Sequence, residues 1–179
     1  MSAGRDIPSA LAQAVFHRVL AEDLTDELRG ALAGAGLDVA ALAAAVPRGT
    51  WERALELTAQ ALFPGAPADD GLRRLGRHLV DVLPQRGLVK KAWLSMARLL
   101  GPRRALKQGA GLKSDSSPVA VTVVDRGSHE VEVHVDDGRQ PQLLAGLLEG
   151  LVALLGGKDV RVLVASVQPH GSVLVASWR

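Results

Sequence analysis

The chain has 179 residues, 47% of them hydrophobic, and a formal charge of +2. It contains no Cys and no Tyr, and only two Phe. Without thiols, disulfides, thiolate metal sites and cysteine nucleophiles are excluded, and a reducing cytoplasm is the expected setting.

The length suits one domain whose core is Leu, Val and Ala, with Trp51, Trp93 and Trp178 as its large pieces. The opening Met1-Ser-Ala-Gly-Arg-Asp6 has no apolar stretch, so no secretory signal is expected. The apolar runs are interrupted by Gly, Glu or Arg before they could span a bilayer.

In chain order, the first two-thirds read as helices. Leu11, Ala14, Val15 and Val19 recur at helical spacing over residues 8–20, with Pro8 in the first turn. Thr25 is placed to cap a second helix, with Asp26 and Glu27 where the helix dipole favours acids. That helix should fade at Gly34 and Gly36. The Ala-rich stretch from Asp38 to Val46 predicts a short helix that stops before Pro47. Thr50 is the expected cap of a helix from Trp51 to about Leu62, its apolar face being Trp51, Ala54, Leu55, Thr58 and Leu62. After the turn Pro64-Gly65-Ala66-Pro67, a helix from Asp69 or Asp70 to Leu83 carries the stripe Leu72, Leu75, Leu79 and Val82, and Pro84 ends it. A further helix from Gly87 to Leu100 is expected to turn Leu88, Trp93, Met96 and Leu99 to the core. Gly101-Pro102 breaks it, and residues 103–107 add one more turn.

Residues 109–117 read as a polar linker. The period then changes to two. Pro118 to Asp125 predicts a strand whose apolar run suits a buried position. His129 to Asp136 alternates, with Val131, Val133 and Val135 on one face, and Arg126-Gly127-Ser128 makes the hairpin between the two strands. Pro141 to Leu155 predicts a helix stopped by Gly156-Gly157. Val160–Val167 and Val173–Trp178 are two more strands, joined through Pro169-His170-Gly171. The expected fold is therefore α+β: an N-terminal helical bundle, residues 1–113, followed by a ββαββ antiparallel-sheet unit, residues 114–179, packed together as one domain.

No catalytic set emerges. None of His17, His78, His129, His134 and His170 stands at metal-ligand spacing, and no Gly-x-Ser-x-Gly elbow occurs. Gly109-Ala-Gly111-Leu-Lys-Ser114 has the wrong spacing for a phosphate loop, and no strand precedes it. Glu130, Glu132, His134 and Asp136 share a strand face that reads as its solvated side. The charge map is more informative. Residues 71–113 hold eleven Lys or Arg against one acid, Asp81, whereas the segments on either side are net acidic. Arg73, Arg74, Arg77, Lys90, Lys91, Arg103 and Arg104 are the candidate partner-binding residues. Apart from Trp93, which is expected in the core, no aromatic residue interleaves with these cations, so single-stranded nucleic acid is not the expected partner.

Several segments carry a family resemblance: Trp51-Glu-Arg-Ala-Leu55, Leu62-Phe-Pro-Gly65, Arg74-Leu-Gly-Arg77, Leu100-Gly-Pro-Arg-Arg104, Leu144-Ala-Gly-Leu-Leu-Glu-Gly150 and Val175-Ala-Ser-Trp178. In this order the chain resembles a myxobacterial paralogous family of uncharacterised proteins, a domain of unknown function with no established activity to carry over. The layout of helices followed by ββαββ also looks like haem–nitric-oxide-binding domains, 4-vinyl-reductase domains and TRAPP tethering subunits. That likeness implies an apolar ligand pocket between helices and sheet. The haem branch holds its cofactor with a helix histidine and a Tyr-x-Ser-x-Arg motif. This chain has no Tyr, and no His between His78 and His129.

The expected function is a non-catalytic binding or regulatory module, self-associating as a homodimer and without a cofactor. It would present the basic helical surface to an acidic protein or another anionic ligand. The alternative, implied by the resemblance, is a small-molecule sensor whose apolar pocket takes a haem, a tetrapyrrole or a lipid-like ligand.

Overall fold

The computed structural model describes residues 6–111, 120–136, 139–168 and 171–179. It is mixed α+β, with helices first and a four-stranded antiparallel sheet after them.

The chain starts with β1 (Ile7–Pro8), α1 (Ser9–Gln13) and a π-helical turn over Ala14–Val19. Helix α2 (Asp26–Gly34) opens as its sequence dictates: Thr25 Oγ1 accepts the Leu28 amide at 3.2 Å. The helix expected over 38–46 is not formed. Asp38 Oδ1 accepts the Ala40 amide at 2.9 Å and sets up only a 3-10 turn, Val39–Ala41. The rest extends into β2 (Ala45–Val46), which pairs antiparallel with β1. Ala-rich propensity loses here because the pairing buries Ile7 and Val46.

Helix α3 (Arg48–Leu62) begins three residues earlier than expected, behind Pro47, so Thr50 lies inside the helix and does not cap it. Its buried face is Ala54, Leu55, Thr58 and Ala59, and the Thr58 hydroxyl donates to the Ala54 carbonyl at 2.8 Å. Helix α4 (Ala68–Gln85) buries Leu72, Leu75, Leu79 and Val82 as the periodicity predicts. It runs through Pro84 into its last turn, which the expected stop had not allowed. These helices surround one hydrophobic cluster with Phe16, Leu20, Leu32, Leu55 and Leu75 at its centre, and Trp51 meets Phe16 edge to face at 5.9 Å.

Helix α5 (Lys91–Gly111) is two segments joined at Gly101, whose φ of 75° and ψ of 164° are not helical. Pro102 disfavours the helical region for the residue before it and then starts the second segment, and glycine tolerates the conformation left. The expected core face of this helix is a correction. Leu88 is 40% exposed, Trp93 54%, Met96 61% and Leu99 89%, while Leu94, Ala97 and Leu106 turn inward.

The sheet follows as β3 (Val121–Gly127), β4 (Glu130–Val135), α6 (Pro141–Leu154), β5 (Arg161–Gln168) and β6 (Gly171–Ser177), in the spatial order β3-β4-β6-β5. Val131, Val133 and Val135 are buried as their alternation predicts, opposite Ala176, Leu174 and Ser172. Strand β3 is an edge strand and largely exposed, contrary to the buried position expected from its apolar run. The expected start of that strand at Pro118, most of the polar linker and the Pro169-His170 turn lie outside the described residues.

Helix α6 holds the two layers together. Leu143 joins the helical cluster, whereas Ala145, Leu148 and Val152 join a second cluster with the inner sheet face and Trp178. Its contact with α4 brings backbones together. A Cβ at Gly76 would overlap the Leu143 carbonyl oxygen, and one at Gly146 would overlap that of Arg73. At Gly150 it would lie 2.8 Å from the Val80 Cβ.

Candidate functional site

The α4–α6 crossing decides the fate of the first candidate. Arg73 projects from α4 onto α6 and the neighbouring strand. Its guanidinium donates to Glu149 Oε1 at 2.6 Å and to Gln142 Oε1 at 3.3 Å, and also to the Val162 carbonyl. It ties α4, α6 and β5 to one another and is only partly exposed. Arg77 lies 3.7 Å from Asp81 one turn on. Arg103 approaches Asp125 at 3.1 Å, and Lys107 donates to the same carboxylate at 2.7 Å. Two more cations of the basic block are engaged as well. Arg86 reaches Asp23 at 3.2 Å, and Arg98 donates to the Leu154 carbonyl at 2.9 Å.

Arg74, Lys90, Lys91 and Arg104 remain, with no hydrogen-bond or ion-pair partner among the described residues. Only Lys90 and Lys91 are neighbours, at the start of α5. That is the positive end of the helix dipole, and no acid occupies the first turn. The seven candidates are therefore not all unpaired. Three are paired, Arg73 partly covered between elements and Arg77 and Arg103 at the exposed surface, and Lys90 and Lys91 bring two unpaired charges to the α5 N-terminus.

Trp93, Met96 and Leu99 lie on the same helix and were assigned to the core by sequence. The signal that could have found them is present in the sequence: α5 has two apolar stripes. Its smaller inward stripe is Leu94 and Ala97, both buried, and Ala97 joins the cluster with α6 and the sheet. The bulkier one is left outside.

Two clefts lie elsewhere. One of about 480 Å³ opens between the π-helical turn and the 3-10 turn, lined by Gln13, His17, Arg18, Val39 and Leu42 among others. There His17 Nε2 lies 2.6 Å from the Val39 carbonyl oxygen. A smaller one, about 170 Å³, sits between α3 and α4. Neither lies between the helices and the sheet, where the expected apolar pocket would be.

Other titratable groups form small pairs. His78 Nε2 lies 3.2 Å from Asp23, with Phe63 edge-on to its ring. The Lys107 hydrogen bond, reinforced by the charge of Arg103, holds the Asp125 carboxyl below its ordinary value. His134, 2.6 Å from Glu132, does the same for that carboxyl, with help from Arg126. Among the described residues, no three His, Asp or Glu side chains are grouped as metal ligands would be, and no helix is long and apolar enough to cross a membrane.

Comparison with known proteins gives a fold and a family, without an activity. The model of a family described as a protein of unknown function, DUF2378, matches residues 5–179. No curated protein matches the chain. Among solved structures, an oxygen-binding H-NOX domain related to soluble guanylate cyclases superimposes with a TM-score of 0.66 at 9% identity, covering 97% of this chain and 95% of that one. An H-NOX protein from S. oneidensis, solved in the Fe(II)NO ligation state, gives 0.63 at 11% identity, with 97% and 99% covered. A structure solved to study H-NOX activation gives 0.63 at 10% identity, with 97% and 96% covered. At such identities the likeness is one of fold.

Proposed function

The chain belongs to the DUF2378 family of unknown function, and from that starting point we propose that it is a non-catalytic binding or regulatory module that engages an anionic partner through α5. The observation that carries this reading is the uncompensated charge of Lys90 and Lys91. Arg86, Arg98 and Arg103 are matched to carboxylates or carbonyls, whereas these two stand at the positive end of a helix. The sequence from residue 82 to residue 114 contains no Asp or Glu to neutralise them. A protein that leaves such a field unscreened gains long-range attraction for anions.

The test is retention on immobilised polyphosphate across a salt gradient. Lys90→Glu with Lys91→Glu and Arg104→Glu should elute at much lower salt than the parent. A control with the same change in charge, Arg18→Glu with Lys158→Glu and Arg161→Glu, should shift far less. Equal shifts for the two triple variants would mean that only net charge matters, and the reading would fail.

The fold likeness supports a second reading, a small-molecule sensor. For haem in particular the residues do not fit. There is no Tyr and no Cys, and His78 on α4 is engaged with Asp23. The backbones of α4 and α6 also meet at Gly76 and Gly146, which leaves no space between them for a flat macrocycle. A sensor on this fold would use another ligand. Native mass spectrometry of freshly purified protein tests this, a bare polypeptide mass counting against it.

A further inference from the structure

Lys90 and Lys91 account for the charge of α5 but not for its apolar side. At about 100° per residue, Leu99, Ala92, Met96, Leu100 and Trp93 fall within an arc of about 120° on the first segment. Leu94 and Ala97 lie on the adjoining inward arc, Ser95 borders the stripe on its other side, and Lys91 falls about 80° beyond Leu99, at the N-terminal end of the helix. Trp93, Met96 and Leu99 are all more than half exposed. Three large apolar side chains in a row on a helix, beside lysines, are not an ordinary solvated surface.

From this juxtaposition we propose that α5 docks on the surface of an anionic phospholipid bilayer, with Trp93, Met96 and Leu99 entering the boundary between headgroups and acyl chains and Lys90 and Lys91 meeting lipid phosphates. The proposal rests on the reading of an anionic partner and names that partner. The stripe is a projecting ridge, Leu99 being 89% exposed, so its receptor has to yield around it as a bilayer does. Tryptophan favours the interfacial layer. A second copy of the chain is the competing occupant, and the experiment separates the two.

The experiment is co-sedimentation of the full chain with vesicles of phosphatidylcholine alone or doped with phosphatidylglycerol, followed also by Trp fluorescence. Trp178 is buried and Trp51 is partly covered, so a blue shift on binding reports chiefly on Trp93. The parent should bind only the doped vesicles, with a blue shift and weakening in salt. Lys90→Ala with Lys91→Ala should reduce partitioning by roughly twenty-fivefold, at about fivefold per lysine. Met96→Ser with Leu99→Ser, which leaves the charge unchanged, should reduce it at least about tenfold. Binding that ignores the serine pair would be purely electrostatic, which overturns insertion while leaving the anionic-partner reading intact. Salt-sensitive retention on polyphosphate without any vesicle binding overturns the bilayer proposal alone, and points to an acidic protein or another soluble anion. A lipid-free dimer abolished by Met96→Ser with Leu99→Ser would assign the stripe to self-association and also overturn it. Absence of both vesicle and polyphosphate binding sinks both readings.

Discussion

Gly76, Gly146 and Gly150 matter because of what lies beside them. All three fall in segments that carry the family resemblance, and all three meet the opposing helix without room for a methyl group. Gly146→Ala would push against the Arg73 carbonyl oxygen, which cannot rotate aside as a side chain can. Its expected cost is about 3 kcal/mol, the upper end of ordinary overpacking. Gly30, inside α2 with nothing within 4 Å, is the contrast. Gly30→Ala should stabilise by up to about 1 kcal/mol through helix propensity alone. Urea denaturation of the two variants checks both signs, and similar effects would mean that the helices do not approach as described. The glycines are plain in the sequence, but no local pattern says which of them faces another backbone. Arg73 is illegible for the same reason: its partner Glu149 is 76 residues away.

Helix α5 shows how an element can be found correctly and turned the wrong way. The periodicity placed a helix over 87–100, and the structure has one starting at Lys91, yet the larger apolar residues point outward. Hydrophobic spacing identifies a helix with an apolar side. It does not choose between two such sides, and size favoured the wrong one. The choice is measurable. Leu94→Ala removes a side chain that is 9% exposed and should cost about 2–3 kcal/mol. Leu99→Ala should stay within about 0.5 kcal/mol of the parent. The reverse order in thermal denaturation would restore the orientation expected from sequence. The short segment 38–46 failed differently, because a pairing with β1 more than 30 positions upstream overrode local alanine propensity.

Across the whole molecule, the basic block is partly spent on fastening the layers. Asp125 receives Arg103 and Lys107 and so links α5 to the edge strand β3, while Glu132 receives His134 and Arg126 on the outer sheet face. Both carboxyls are held below their ordinary values. A depressed folded-state value contributes stability above the unfolded-state value, and this is lost as pH falls through the folded one. Stability should therefore decline as pH drops below about 4, where unfolded carboxylates protonate. In Asp125→Asn with Glu132→Gln that acid-side slope should flatten. An unchanged slope in denaturation midpoints against pH would show that these pairs contribute nothing.

The sequence alone determined the α+β class, the order of helices before ββαββ, the inward faces of α4 and β4, and the position of the basic block, because period, caps and charge are local properties. Tertiary structure decided which cations stay free, which side of α5 is buried and that α4 and α6 meet backbone to backbone. Each of these depends on partners tens of residues away, and burial and ion pairing are settled by proximity in space.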